Sequence, residues 1–234
     1  PDCLKVADDA VLFKQIAKGV ARKHGMAASF MAKPYADRPG NGMHLHLSVI
    51  DQQGQNIFDD GSEAGSQLMQ HAVAGLLAAM PESMLIFAPH HNSYRRFTVE
   101  SHAPLAACWG YENRTAALRI PLGPSQQRRI ECRVAGADTN PYLVLATILA
   151  GVLAGLDQAK SPPQPIEGSA YDAELPSLPV TWQTAYNAFA KGSVLKDLLP
   201  NVFRHMLLDC KAQEMRRFAA DISAFEYRSY LDQV

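Results

Sequence analysis

Gly40-Asn41-Gly42-Met43-His44-Leu45-His46-Leu47-Ser48-Val49 is the stretch on which the reading of the fold turns. Apolar and polar residues alternate strictly from Met43 onward, the period-two signature of a β-strand with one dry face. Met43, Leu45, Leu47 and Val49 point one way; His44, His46 and Ser48 point the other. A second alternating run, Arg129 to Val134, sets Ile130, Cys132 and Val134 against Arg129, Glu131 and Arg133. Two strands therefore each carry a charged or imidazole-bearing face on an otherwise apolar chain.

Working outward, helical spacing of Val11, Leu12, Ile16 and Val20 predicts a helix over Asp8–His24, with Gly25 as its stop. Ala27–Ala32 reads as a short strand, and Asp59-Asp60-Gly61-Ser62 as a turn. An apolar helix is predicted over Gln67–Met80, and Pro81 is expected to start another. His90–Pro104 is polar and aperiodic, a long loop, followed by strands near Ala106–Trp109 and Ala116–Ile120. Asn140-Pro141 opens a strongly apolar helix over Tyr142–Leu156, shorter than the roughly 20 residues of a membrane span and read as a core helix. Three regions result: 1–160 holds the sheet and its helices, 161–180 is a proline-rich irregular connection, and 181–234 reads as helices only. Helices are expected over Trp182–Ala190, Val194–Leu199 and Val202–Ala219, with a capping box at Ser223 and Glu226 near the end. Strands early and helices late predict an α+β or open α/β architecture.

Composition narrows the function. A net charge of -1 gives no field suited to nucleic acid or to an anionic membrane. Cys3, Cys108, Cys132 and Cys210 lie too far apart for a zinc motif, and their spacing suits a reducing, cytoplasmic setting. The opening Pro1-Asp2-Cys3-Leu4-Lys5 is not a signal peptide, and the lack of an initiator Met points to a piece of a longer chain.

Taken alone, a His-x-His strand reads as an exposed face, and Arg129-Glu131-Arg133 as a solvated face with cross-strand ion pairs. The wider arginine set changes the weighting. Arg95, Arg96, Arg114, Arg119, Arg128, Arg129 and Arg133 are interleaved with apolar strands and would repel one another without an anion between them. Phosphate is the natural guest of a guanidinium fork. Glu131 and His44 could supply a carboxylate oxygen and an imidazole nitrogen to Mg²⁺ or Mn²⁺, the usual companions of a transferring phosphoryl group. No G-x-x-x-x-G-K-[ST] or G-x-G-x-x-G loop is present, so any nucleotide is held in another way. The residues themselves point to a phosphate- and metal-handling enzyme that uses ATP.

Five motifs in order go further. Phe30-Met31-Ala32-Lys33-Pro34 with Gly40 to Ser48 resembles the F-M-x-K-P and N-G-S-G-M-H-x-H-x-S segments of the glutamine synthetase family. Asn92-Ser93-Tyr94-Arg95-Arg96 is similar to its N-S-Y-K-R, and Asn113-Arg114-Thr115-Ala116-Ala117-Leu118-Arg119-Ile120-Pro121 to its N-R-[ST]-A-x-x-R-I-P. Arg128-Arg129-Ile130-Glu131-Cys132-Arg133, followed by Ala137 to Tyr142, resembles R-R-I-E-x-R…D-x-x-A-N-P-Y.

The resemblance implies a catalytic domain built on a curved, mostly antiparallel half-barrel sheet covered by helices, a fold related to the guanidino kinases. It implies metal binding by His44 and Glu131, with His46, Ser48, Arg114 and Arg129 on the ATP side. Gly40, Arg96 and Arg133 would meet glutamate, and Arg119, Arg133, Arg96 and His102 would serve catalysis. The reaction implied is phosphorylation of the glutamate γ-carboxylate by ATP, then displacement of phosphate by an amine. The full-length protein would be a cytoplasmic homo-oligomeric ring acting on small molecules, with neither nucleic acid nor membrane as partner.

Departures from the pattern matter. Pro39 stands where the family has a glutamate-contacting Asn, and Gln126 where it has a Lys. His102, in Ser101-His102-Ala103-Pro104, stands where a flap Glu would help to deprotonate ammonium; a purely structural role within the flap is the alternative. With the tail Phe225-Glu226-Tyr227-Arg228-Ser229-Tyr230-Leu231, these changes resemble the γ-glutamylpolyamine branch. An ammonia-using glutamine synthetase and a non-catalytic relative stay open as alternatives. The resemblance also places the first-metal glutamates and a β-grasp domain ahead of this chain, so the 234-residue piece is expected to be inactive alone.

Overall fold

Asp2 starts α1 (Cys3–Lys23) by accepting the N–H groups of Leu4 and Lys5 on its carboxylate, and Arg22 and Lys23 sit favourably in the last turn. That cap moves the helix start ahead of the predicted Asp8. The computed structural model describes residues 2–99 and 101–234; position 100, inside the predicted loop 90–104, lies outside them.

The strand expected over Ala27–Ala32 does not form. The backbone there is committed elsewhere: Asn41 N–H donates to Ala32 O (2.7 Å), and the Asn92 amide brackets Lys33 through both N–H and C=O (2.9 Å each).

Four strands make one sheet in the order β1 (Leu45–Leu47), β4 (Ile130–Cys132), β3 (Leu118–Ile120) and β2 (Trp109–Tyr111). β1 and β3 both run antiparallel to β4, and β2 runs parallel to β3. The register puts His46 and Arg119 directly across from Glu131 on its two sides. Each strand is shorter than the sequence alternation suggests. Ala106, predicted to start a strand, makes only an isolated bridge to Ser177, and β2 begins at Trp109.

α2 (Gln67–Phe87) runs through Pro81, where a break was expected. A proline inside a helix removes one backbone hydrogen bond and costs about 3 kcal/mol. Here Met80, Met84, Leu85 and Phe87 around it are fully buried, and their burial outweighs that cost. α3 (Pro141–Gln158) begins on the Asn140 cap with Pro141 in the first turn, as the sequence indicates. By length and composition α3 could cross a membrane, but half of it is buried within the protein and it packs along α2. The two helices cross so closely that a Cβ on Gly75 would lie 2.2 Å from Gly151 O.

α4 (Trp182–Lys191) also packs on α2. The helix expected over Val194–Leu199 is instead a run of turns. The buried Glu82 side chain collects the N–H groups of Ser193, Val194 and Leu195 (2.7, 3.0 and 3.0 Å), which fixes that segment as a turn wrapped around its two oxygens. Leu199–Val234 forms a separate compact unit of α5 (Asn201–Ala219) and α6 (Ala224–Tyr230). Ser223 and Glu226 form the expected capping box at the start of α6.

Candidate active site

Glu131 sits mid-strand on the central β4 and is only 2% exposed. Two guanidinium groups hold it: Arg119, opposite on β3, donates to Oε2 (2.7 Å), and Arg133, two residues along, donates to Oε1 (2.7 Å). His44 approaches from beside β1, its Nδ1 3.1 Å from Oε1. Arg119 also grips Glu112 (2.6 Å), so one guanidinium bridges two carboxylates.

This decides the bland reading of the strand faces. Cross-strand ion pairs are indeed there, and Glu131, Arg133 and the neighbouring Arg96 are buried at 2%, 5% and 5% exposed, while His44, His46 and Ser48 form the exposed side of the site. Burying charges costs several kcal/mol per ion unless paired and hydrogen-bonded, so a sheet does not assemble such a set for packing alone. The Nε atoms of Arg96, Arg119 and Arg133 are buried with no partner among the described residues, a surplus of donor capacity in keeping with an anion-binding centre.

Arg96 arrives from a 3-10 turn, His91–Arg96, and donates to Val134 O (2.5 Å). Its stem lies over Gly40 and Gly42. A Cβ on Gly40 would stand 2.6 Å from Arg96 Cγ, and one on Gly42 would stand 3.2 Å from its NH1. The glycines of the Gly40-Asn41-Gly42 stretch are thus the notch in which this arginine lies. Arg133 donates its other arm to Arg114 O (2.9 Å), so the Arg114 turn is fixed to the centre by its backbone. The Arg114 side chain itself is exposed and lines a cleft of about 620 Å³ with Tyr111, Glu112, Ile166 and Glu167.

His46 accepts from Arg129 Nε on its Nδ1 (3.2 Å), which pairs two of the residues expected on the nucleotide side. Ser48 is exposed on the same face of the strand and makes no side-chain hydrogen bond among the described residues. His102 stands apart: it is exposed, and no hydrogen bond or ion pair among the described residues joins its side chain to the Glu131 cluster. Glu112 is the residue the sequence reading passed over. An acid set next to Asn113-Arg114, among so many arginines, was its one signal.

Electrostatics follow the contacts. Burial works against the Glu131 carboxylate, but the hydrogen bonds from Arg119 and Arg133 outweigh it and hold the group below the ordinary range. Burial and the nearby Arg133 push the His44 imidazole down, with Glu131 opposing; His46 is lowered mainly by burial too. Both rings therefore stay neutral at neutral pH, the form that ligates a metal.

The donor pair fits a divalent ion. Two adjacent ligands on an octahedral Mg²⁺ or Mn²⁺, each at about 2.1 Å, stand about 3.0 Å apart. His44 Nδ1 and Glu131 Oε1 are 3.1 Å apart. No cluster of three or more His, Cys, Asp or Glu side chains suited to a metal occurs among the described residues, so the pair is a partial site.

A mixed sheet centred on a buried, arginine-bound carboxylate with an imidazole beside it is the frame of a catalytic domain. The chain belongs to the glutamine synthetase catalytic-domain family, whose model matches residues 1–230. It is 41% identical over 223 residues to the γ-glutamylputrescine synthetase of Escherichia coli K12, covering 95% of this chain and 47% of that protein. It is 35% identical to the γ-glutamylethanolamide synthetase of Streptomyces coelicolor, over all of this chain and 50% of the other. A glutamate–isopropylamine ligase from a Pseudomonas species is 36% identical over 99% of this chain and 51% of its own length. Among solved structures, ligand-free GmaS superposes with a TM-score of 0.90 at 31% identity, over 99% of this chain and 54% of that one. The chain spans about half the length of these relatives.

Proposed function

We propose that the full-length protein joins the γ-carboxyl of glutamate to an amine other than ammonia, at the expense of ATP. The observation that carries this reading is the buried Glu131 held by Arg119 and Arg133 with His44 Nδ1 at 3.1 Å, within a chain of the glutamine synthetase family. Enzymes of this family use ATP and divalent metals generally. His44 and Glu131 would hold Mg²⁺ or Mn²⁺, which when bound offsets the negative charge of the transferring phosphoryl group.

The chain's own residues supply the rest. Arg119 and Arg133 offer a cationic wall to the phosphoryl oxygens, and Arg96, seated in the Gly40 notch, binds a glutamate carboxylate with Arg133. His46, Ser48, Arg114 and Arg129 serve the nucleotide. The γ-phosphoryl passes from ATP to a γ-carboxylate oxygen and ADP leaves; the amine then attacks the acyl carbon, inorganic phosphate leaves, and the amine's proton is lost to a base.

The amine assignment is supported by the names of the relatives, which act on putrescine, ethanolamine and isopropylamine. It is supported too by His102, an imidazole where the family resemblance places a carboxylate. A neutral imidazole accepts a proton but does not attract ammonium as a carboxylate does. We assign the protein to the cytoplasm as a homo-oligomeric ring, which sedimentation of the full-length enzyme would test. Phosphate release by the full-length protein with ATP and glutamate, compared across ammonium, putrescine and ethanolamine, tests the function. Turnover led by an organic amine is expected; a strong preference for ammonium would overturn the assignment in favour of glutamine synthesis.

A further inference from the structure

The proline-rich connection is tied down by the residues that carry the site. Trp109 Nε1 donates to Pro163 O (2.7 Å), and Asn113 Nδ2 donates to Ile166 O and Gly168 O (3.0 and 2.8 Å). Ala170 N–H donates to Thr115 Oγ1 (2.8 Å), and the Ala170 side chain is buried among Ala106, Cys108 and Ala116. Asn113 and Thr115 flank Arg114, whose carbonyl receives Arg133. Further along, Ala107 N–H donates to Pro176 O (3.1 Å) and Leu178 N–H to Leu105 O (2.9 Å). One strap thus touches both the Arg114 turn and the segment that follows His102. Between these anchors, Tyr171 Oη donates to Ala103 O (2.9 Å).

His102 itself is left-handed, with φ 58°. For a residue with a side chain that conformation persists only where the neighbours over-determine it. On the N-terminal side, Ser101 sends both its N–H (3.2 Å) and its hydroxyl (2.5 Å) to Thr98 O. On the C-terminal side, Ala103 is 3% exposed and its carbonyl is held by Tyr171. Burial raises the phenol, so it remains a donor at neutral pH.

We infer that Tyr171 is a positioning residue: its hydrogen bond to Ala103 O locks the His102 loop in register with the Arg133 centre. This rests on the amine-ligase reading only for the consequence that the lock sets affinity for the acceptor amine.

The test uses the full-length enzyme with Tyr171→Phe, which keeps the ring and removes the donor, beside His102→Ala. Two readouts are taken: hydrogen exchange of the peptide covering residues 101–105, and KM for ATP, glutamate and the amine giving the highest turnover. Losing one net hydrogen bond predicts about fivefold faster exchange in Tyr171→Phe and about a fivefold higher amine KM, with ATP KM unchanged. Unchanged exchange would overturn the inference whatever the kinetics, as would an equal rise in all three KM values. Faster exchange while neither variant moves the amine KM would uphold the lock and sink the assignment of this loop to the amine.

Discussion

His44 Nδ1 stands 3.1 Å from Glu131 Oε1, brought there by antiparallel pairing of β1 and β4, strands more than 80 positions apart in sequence. Neither residue has chemistry of its own without the other. Pairing of β3 with β4 sets Arg119 against Glu131, and Arg133 reaches it from two residues along, so removal of Glu131 has two separable effects.

Substituting Glu131→Ala leaves the buried Arg133 without its counter-charge and Arg119 with Glu112 alone. The expected loss of stability is about 3 kcal/mol, read from urea unfolding of the full-length protein. Glu131→Gln keeps the shape and most hydrogen bonding but removes the anionic ligand. Phosphoryl transfer is then expected to fall at least about 100-fold, and Mn²⁺ affinity to fall with it, measured by titration calorimetry.

Gly40→Ala tests the notch under Arg96. The added Cβ, at 2.6 Å from Arg96 Cγ, must push the side chain aside. A displacement of about 1 Å at a substrate-positioning group is enough to raise the glutamate KM about tenfold. ATP KM should be unchanged, because the nucleotide-side residues do not touch Arg96. Equal changes in both constants would refute the role assigned to this glycine.

The cysteines divide by environment. Cys132 is buried on β4 and its thiol is pushed up to about 11; burial raises Cys108 as well. Cys3 and Cys210 are exposed. Iodoacetamide at about pH 8 should label Cys3 and Cys210 while Cys108 and Cys132 react only after denaturation, as mapped by peptide mass spectrometry.

Glu112 gives an acid-side signature. The hydrogen bonds from Arg119 and from Leu122 N–H hold its carboxyl below the ordinary value of 4.5. The unfolded chain therefore binds the proton first as pH falls, so the stabilisation is complete above 4.5 and drains away below it. Glu112→Gln should lower Tm above that pH, and the gap from the parent should close as pH drops further. A gap independent of pH would show that the ion pair with Arg119 is not its source.

Local elements were legible where local chemistry specifies them. Asn140-Pro141 announces the start of α3, Ser223 and Glu226 announce that of α6, and the alternation of Met43–Val49 announces β1 and its polar face. The failures share one cause. Pro81 argues for a helix break until the burial of Met80, Met84 and Leu85 is counted. Val194–Leu199 has a helical pattern, yet its first amides go to Glu82, more than 100 positions upstream. Ala27–Ala32 has strand character but no strand beside it to pair with.

For the site, the sequence by itself determined which groups are available: one carboxylate and two imidazoles on strand faces, an unusual density of arginines, and motifs of the glutamine synthetase family. Side-chain periodicity and residue chemistry are local properties, and they survive in one dimension. Tertiary structure alone decided that Glu131 is the shared counter-ion of Arg119 and Arg133, that Arg96 needs Gly40 bare, and that the proline-rich strap holds the His102 loop through Tyr171. These depend on strand order, register and burial, which are set by non-local packing and by the cost of leaving a buried charge or donor unpaired.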